Sequence, residues 1–160
     1  MKFLKKMAII FVSLFCLFWV VYGIAGIYGR IRFGCLLNWH LVLPKPLKEE
    51  VIFDAGWSDM IEADVLYYKN NDFVQKMNKL SKFNKEDIAL ISDKLNHYLY
   101  LVEVFGEENT KLLNDKVDIT TLLNEDNYYF YKQDKENKNK FLIILADTQN
   151  NCLYLLESVC

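Results

Sequence analysis

The chain has 160 residues, of which 52% are hydrophobic, and a net charge of −2. A length of this order suggests one domain. Three lysines precede residue 7 and every acid lies at or after Glu49, so residues 30–160 carry 16 bases, 21 acids and a net charge of −5. A nucleic-acid-binding module and a peripheral membrane binder both need a basic surface. The charge argues against both classes, and no nucleic-acid partner is expected.

An uncharged run from Met7 to Gly29 follows the basic start MKFLKK. As a helix this run is about 34 Å long, enough to cross a hydrocarbon core of roughly 30 Å. It predicts a single-pass transmembrane helix over residues 7–29, after a short tail at 1–6, with the lipid bilayer as its partner. The alternative is a signal peptide cleaved after Ala25, with the small residue Gly23 two positions earlier, but the apolar run continues past that site.

The lysines of the tail favour a cytoplasmic N-terminus, although two arginines after the run reduce the asymmetry. This orientation predicts a cell-membrane protein whose C-terminal domain is extracytoplasmic. Pro44 and Pro46 keep their segment extended, because proline fixes φ and disfavours helix in the residue before it. We therefore expect a juxtamembrane linker at 30–50 and the folded domain at 51–160.

Alternation in IEADVLYYK predicts a strand from Ile61 to Tyr67, with Glu62 and Asp64 on its outer, solvated face. Two helices are expected next. The first carries an apolar stripe, and the second begins after Asn84, a favoured N-cap residue. The stripe of the first helix consists of Phe73, Val74, Met77 and Leu80, and that of the second of Ile88, Ile91 and Leu95.

The stretch HYLYLVEVF, from His97 to Phe105, fits two interpretations. Leu95, Leu99 and Val102 have the spacing to extend the second helix, whereas tyrosine, valine and phenylalanine favour strands. We expect a strand. The following GEENTKLLNDK is expected to be a loop, and DITTLLNE a helical turn capped by Asp118.

Three strand-like segments come last: YYFYK at 128–132, FLIILA at 141–146 and CLYLLESV at 152–159. Short polar connections make them antiparallel neighbours. FLIILA is apolar on both faces, so we expect it at the centre of the sheet, covered on both sides. The predicted fold class is α+β: an N-terminal transmembrane helix followed by a small antiparallel sheet with two packed helices.

The order of these elements resembles small, uncharacterised bacterial proteins that are membrane-anchored or lipid-anchored. The similar segments are FDAGWSD, ADVLYYKNNDFVQKMNKL and NYYFYK…NKFLIILADTQNNCLYLLE, which together cover most of residues 50–157. No catalytic motif comes with the resemblance, so it implies an order of elements and not an activity.

The segment FDAGWSDMIEAD gathers acidic residues around a tryptophan. Asp54, Asp59, Glu62 and Asp64 form a carboxylate cluster of the kind that general acid–base catalysis uses. The alternative is that Glu62 and Asp64 simply solvate the outer face of a strand. Their spacing does not match a twelve-residue calcium loop. Trp57, between Asp54 and Asp59, is a candidate binding anchor, and burial in the core is the alternative.

Among the cysteines outside the apolar run, any disulfide would join Cys35 to Cys152 or to Cys160, and Cys160 is the better candidate. Cys152 and Cys160 stand eight residues apart on one predicted strand, about 26 Å, whereas a disulfide needs α-carbons within about 7 Å. The thiols are expected to be independent, with a Cys35–Cys160 disulfide as the alternative. No CxxC or HxxxH spacing occurs, so neither a metal nor another cofactor is expected.

No catalytic residue is assigned, because neither His40 nor His97 lies in a nucleophile motif such as GxSxG. The ten tyrosines form either the rim of the core or a face that binds a partner. The sequence predicts a membrane-tethered, non-enzymatic interaction domain with an unknown protein partner. The alternative is an envelope hydrolase that uses the Asp54–Asp64 carboxylates.

Overall fold

The computed structural model describes residues 2–55 and 61–159. The predicted site residues Trp57, Asp59 and Cys160 lie outside the described residues. At residues 2–6, 8, 9, 24, 25, 27 and 28 the structure describes the backbone and not the side chains. The chain divides into two compact units, Met1–Leu43 and Pro44–Cys160.

The first unit contains two helices, α1 (Lys2–Tyr28) and α2 (Arg30–Trp39). Gly29 separates them with a φ of 82°, a left-handed value that glycine adopts without strain. α2 occupies residues 30–39 of the predicted linker. Its buried side chains include Ile31, Cys35 and Trp39, which recur every four residues and so lie on one helical face.

Most described side chains of α1 between Met7 and Tyr22 are apolar and exposed. Every described residue from Met7 to Tyr22 is exposed, and the large apolar ones among them expose 45–73% of their surface. Over the residues that the structure describes, no helix reaches the length and apolarity that crossing a bilayer requires.

The second unit is built on a six-stranded sheet of order β1-β2-β6-β5-β4-β3, in which neighbouring strands are antiparallel. Its strands are β1 (Lys48–Asp54), β2 (Ile61–Tyr67), β3 (Ser81–Lys82), β4 (Tyr128–Gln133), β5 (Lys140–Asp147) and β6 (Cys152–Val159). Its helices are α3 (Asp72–Lys76), α4 (Lys85–Val104), α5 (Glu107–Lys116) and α6 (Ile119–Leu122). The fold class is α+β, as the sequence predicts.

The strand β5 lies inside the sheet, between β4 and β6. Residues 141–147 are all buried, so both faces of FLIILA are covered and the prediction for this strand is confirmed. β6 pairs with β5 on one side and with β2 on the other. The hairpin of β5 and β6 therefore supplies the two middle strands of the sheet.

One face of the sheet packs against α4. The shared hydrophobic cluster includes Ile91, Leu95, Tyr98 and Val102 from α4 and Ala63, Ile143 and Leu156 from the strands. Full burial of one large apolar side chain contributes about 1.5–3 kcal/mol. With four such residues, α4 is the main helical contributor to this cluster.

The strand predicted at His97–Phe105 is wrong, because α4 continues to Val104. Its four buried residues recur at intervals of four, three and four, and each exposes at most 1% of its surface. This period matches the α-helix and gives one continuous apolar face. Packing of that face outweighs the modest strand preference of tyrosine and valine.

The N-cap predicted for this helix is confirmed, since the Asp87 N–H donates to Asn84 Oδ1 at 2.9 Å. The loop predicted at 106–116 is wrong, because α5 fills most of it. α5 begins after Gly106, whose φ is 138°, and it buries Leu113 alone. One buried residue is too weak a pattern to reveal a helix in the sequence.

Three further outcomes concern short elements, two of them differences and one a confirmation. The predicted first helix shrinks to α3, whose buried residue is Phe73. The sequence does not predict β1, because a register shift between Val51 and Phe53 interrupts its alternation, as a β-bulge does. The capped turn is confirmed, since Asp118 accepts from the N–H groups of Thr120 and Thr121 ahead of α6.

Candidate functional site

The predicted carboxylate cluster is only partly described. Asp54 is the last residue of β1 and is the register partner of Glu62 on β2. Glu62 in turn faces Glu157 on β6, so three acids form one row across three strands. The solvated position predicted for Asp64 is wrong, because this residue is 4% exposed. No group of three His, Cys, Asp or Glu residues suited to a metal ion occurs in the described part of the chain.

A second group of charges joins β1 to α5. Glu50 accepts from Lys48 Nζ at 2.6 Å and from Lys116 Nζ at 2.9 Å. The hydrogen bond from Lys48, followed by that from Lys116, lowers the pKa of Glu50 to about 2. The same contact raises the pKa of Lys116. Glu50 and Lys116 therefore keep their charges near neutral pH and are unsuited to general acid–base catalysis there.

The described thiol of β6 is not activated. Cys152 is 1% exposed and is a free thiol. Burial raises its pKa to about 11, whereas a nucleophilic cysteine needs a lowered pKa. Cys35 is also buried, and its predicted partner Cys160 lies outside the described residues, so that disulfide stays a prediction.

A buried tyrosine links α4 to the sheet. Tyr98 is fully buried, and its hydroxyl donates to the carbonyl oxygen of Glu62 at 2.7 Å. Burial, aided by the negative charges of Asp64, Glu62 and Glu157, raises the pKa of Tyr98. The phenol therefore stays protonated and holds the helix to β2. This side chain is part of the core, one of the two roles that the sequence left open for the tyrosines.

A cleft lies between α4 and the connection from α5 to α6. Its volume is about 440 Å³, within the usual range for small-molecule sites. Four residues of α4 line one side at the spacing of a single helical face: Ser92, Leu95, Asn96 and Leu99. The other side is formed by Asn114, Val117, Asp118, Ile119, Thr120 and Leu123.

Asp118 is the one ionisable residue among the described lining residues of this cleft. Its Oδ1 accepts from Thr120 Oγ1 at 2.6 Å, Thr120 N at 3.2 Å and Thr121 N at 3.3 Å. The hydroxyl of Thr120, then the N–H of Thr121, lower the pKa of Asp118. The cleft therefore combines an apolar floor with one fixed negative charge.

The C-terminal end of α4 carries an exposed apolar surface, here named the α4 patch and defined as Tyr100, Val104 and Phe105. Tyr100 and Val104 each expose 63% of their surface, and Phe105 exposes 37%. The first two are four residues apart and so share one helical face. A tyrosine flanked by aliphatic and aromatic groups is the composition that protein interfaces favour.

Comparison with protein-family models, curated proteins and solved structures yields no match to this chain. The resemblance to membrane-anchored or lipid-anchored bacterial proteins stays a prediction. Sequence reasoning missed both the cleft and the α4 patch, because it treated residues 97–116 as a strand and a loop. The signal for the α4 patch is the four-three-four recurrence on α4, which leaves Tyr100 and Val104 facing outward. The cleft also depends on α5, which buries Leu113 alone and so gives almost no periodic signal.

Proposed function

We propose that this chain is a single-pass membrane protein whose residues 7–29 lie in the bilayer. Its second unit then acts as a non-enzymatic protein-interaction domain on the extracytoplasmic side. The observation that carries the proposal is the exposure of apolar side chains around α1, where no described large apolar residue from Met7 to Tyr22 exposes less than 45%.

Such exposure is costly in water. Each large apolar side chain left in water forgoes about 1.5–3 kcal/mol of burial free energy. Contiguous apolar surfaces of this size mark membrane or protein contacts. A helix that is apolar on all sides suits lipid better than a groove, which covers a single face. Phe15, Trp19 and Tyr22 form edge-to-face ring pairs on this helix.

The α4 patch supports the interaction role. Its tyrosine loses little conformational entropy on binding, because only two side-chain torsions are fixed. Glu50, Lys116 and Cys152 keep one protonation state near neutral pH, which favours binding over acid–base chemistry. The partner is expected to be a protein with a complementary apolar surface.

Protease treatment of spheroplasts tests the topology. The second unit should be degraded, while a fragment containing residues 7–29 stays in the membrane fraction. Lysed spheroplasts provide the control for protease access. Full protection of the second unit in intact spheroplasts would reverse the orientation, and a fragment lost to the supernatant would contradict the anchor.

Crosslinking from detergent extracts tests the interaction. Tyr100→Asp and Val104→Asp place charges in the α4 patch and should abolish recovery of the crosslinked partner. Leu90→Asp is the matched control, because Leu90 is an exposed apolar residue, at 49%, on the same helix. Equal crosslinking in all three variants would show that the α4 patch is not the binding surface.

An envelope hydrolase that uses Asp54, Asp59 and Asp64 is the competing proposal. Its support is the register of Asp54 with Glu62, which brings two carboxylates together on neighbouring strands. Asp54→Asn and Asp59→Ala test it in a strain that needs the protein. An unchanged phenotype in both variants eliminates these carboxylates as a catalytic site.

A further inference from the structure

The cleft between α4 and the α5–α6 connection has a lining that selects for one class of ligand. Leu95 and Val117 are 1% and 2% exposed and form its floor, while Leu99, Ile119 and Leu123 are half-buried around it. The described lining contains no aromatic ring and no basic side chain. The lining therefore suits an aliphatic chain, and it offers no ring on which an aromatic ligand could stack.

The charge and the hydrogen-bond acceptors of the cleft indicate the polar group of the ligand. Asp118 supplies the negative charge, and its three hydrogen bonds converge on Oδ1. Oδ2 receives no hydrogen bond from the described residues, so it can accept from a ligand. Asn96 and Asn114 line the same cleft, and their side-chain carbonyls are further acceptors. An ammonium group, with three donors and no acceptor, matches this set.

We propose that this cleft binds an aliphatic primary ammonium, with the ammonium on Asp118 Oδ2 and the carbon chain on the floor formed by Leu95 and Val117. The same chemistry is carried by a free alkylamine and by a lysine side chain of another protein. The site is independent of the α4 patch and of the membrane anchor, so its test does not depend on the proposed function.

The hydrogen-bond geometry explains why Asp118 can serve a ligand and its own helix together. Oδ1 caps the first turn of α6, while Oδ2 is left for the ammonium. A charge-assisted hydrogen bond of this kind is stronger than a neutral one. Within this cleft, Asp118 is the one described lining residue that carries a negative charge beside the apolar floor.

Titration of the full chain in non-ionic detergent, followed by amide NMR, measures the binding. The probe is n-pentylammonium, with methylammonium and pentanoate as controls. Pentylammonium should shift the amides of Ser92, Asn96 and Thr120 and saturate in the millimolar range. Methylammonium, which lacks four methylene groups, should bind at least about tenfold more weakly, and pentanoate, which inverts the charge, should not bind.

Asp118→Asn is the decisive variant, because asparagine is as good an N-cap as aspartate and preserves α6. It should weaken pentylammonium binding about tenfold while the amide spectrum stays otherwise unchanged. Asp134→Asn is the matched control. Asp134 Oδ1 also accepts two backbone N–H groups and its pKa is also lowered, but it lies in the turn between β4 and β5, away from the cleft.

Two results would overturn the assignment. Equal binding of pentylammonium to the wild type and to Asp118→Asn would show that the charge of Asp118 does not contribute to binding. Amide shifts of equal size at Asp134 and at Asp118 would show that pentylammonium is attracted to carboxylates in general and does not bind in the cleft. Once binding is found, lysine capped at both backbone ends identifies the source: binding within about threefold of pentylammonium assigns a lysine side chain, and exclusion assigns a free amine.

Discussion

The helices α1 and α4 are both long and rich in apolar side chains, yet they distribute them in opposite ways. α4 buries one stripe of four residues against the sheet and leaves its other side to solvent. The described part of α1 from Ile10 to Tyr22 is exposed on every side. Periodicity, more than apolar content, decides which helix a protein core can cover. The absence of that period on α1 is the argument for the proposed membrane anchor.

The largest expected effect lies on the buried side of α4. Ile91→Ala should lower the free energy of unfolding of the second unit by about 2–5 kcal/mol, because it removes a fully buried side chain and leaves a cavity. Urea unfolding of the full chain in non-ionic detergent, followed by near-ultraviolet circular dichroism, measures it. Leu90→Ala is the control on the neighbouring exposed position and should change the free energy by less than about 0.5 kcal/mol. Similar losses in both variants would contradict the one-sided packing of α4.

The corresponding test of α1 introduces a charge. Leu14→Arg should disfavour the membrane-inserted state by about 3 kcal/mol, the cost of an arginine near the centre of a span. The measurement is the fraction of protein that resists carbonate extraction. Leu90→Arg is the matched change on α4, since Leu14 and Leu90 expose 60% and 49% of their surface. Unchanged extraction of the Leu14 variant would argue against insertion of α1.

A smaller effect is expected from the polar link between α4 and β2. Tyr98→Phe removes the hydroxyl that donates to the Glu62 carbonyl and should lower the free energy of unfolding by about 1 kcal/mol. Tyr100→Phe is the control, since Tyr100 lies two positions further on and is 63% exposed. A loss in the Tyr100 variant equal to that in the Tyr98 variant would mean that burial does not distinguish the two hydroxyls.

The same contrast explains which elements the sequence reveals. β5 is apolar on both faces and pairs on both sides, so composition and position agree. The segments HYLYLVEVF and CLYLLESV are alike in composition, but the first is helical and the second is a strand. The difference lies in context, because the first continues an apolar period that starts at Ile91. Reading that period from the Asn84 cap onward predicts the helix, whereas residue preferences alone do not.

The candidate sites are harder to predict than the fold. The cleft depends on α5 and α6, and α5 buries one residue, so the sequence carries almost no periodic signal for it. The sequence predicts Asp118 as a cap, yet its place in a cleft depends on how α4 packs beside it. Asp64 is expected on a solvated face because aspartate is usually exposed. Its burial follows from tertiary packing on that face of the sheet, where Leu66, Leu153 and Leu155 are buried as well.

The last comparison concerns the thiols Cys16 of α1 and Cys152 of β6. Cys152 is buried and its pKa is raised from 9.0 to about 11 by burial, so the folded state favours the protonated thiol. A raised pKa stabilises the folded protein fully below the pKa of the unfolded thiol, and this contribution is lost as the pH rises from about 9 to 11. The difference in unfolding free energy between wild type and Cys152→Ala should therefore shrink over that range.

The variant comparison reports on Cys152 together with Tyr154, because the two side chains are hydrogen-bonded, and burial and then the thiol raise the pKa of Tyr154. A difference that stays constant from about pH 8 to pH 11 would contradict the raised pKa of Cys152. Labelling with a water-soluble maleimide completes the comparison at neutral pH. Cys152 should resist labelling until the chain is unfolded. Cys16, which is exposed on α1, should be protected in membranes and labelled once detergent and denaturant remove the lipid. Rapid labelling of Cys16 in intact membranes would place α1 in water and would contradict the anchor.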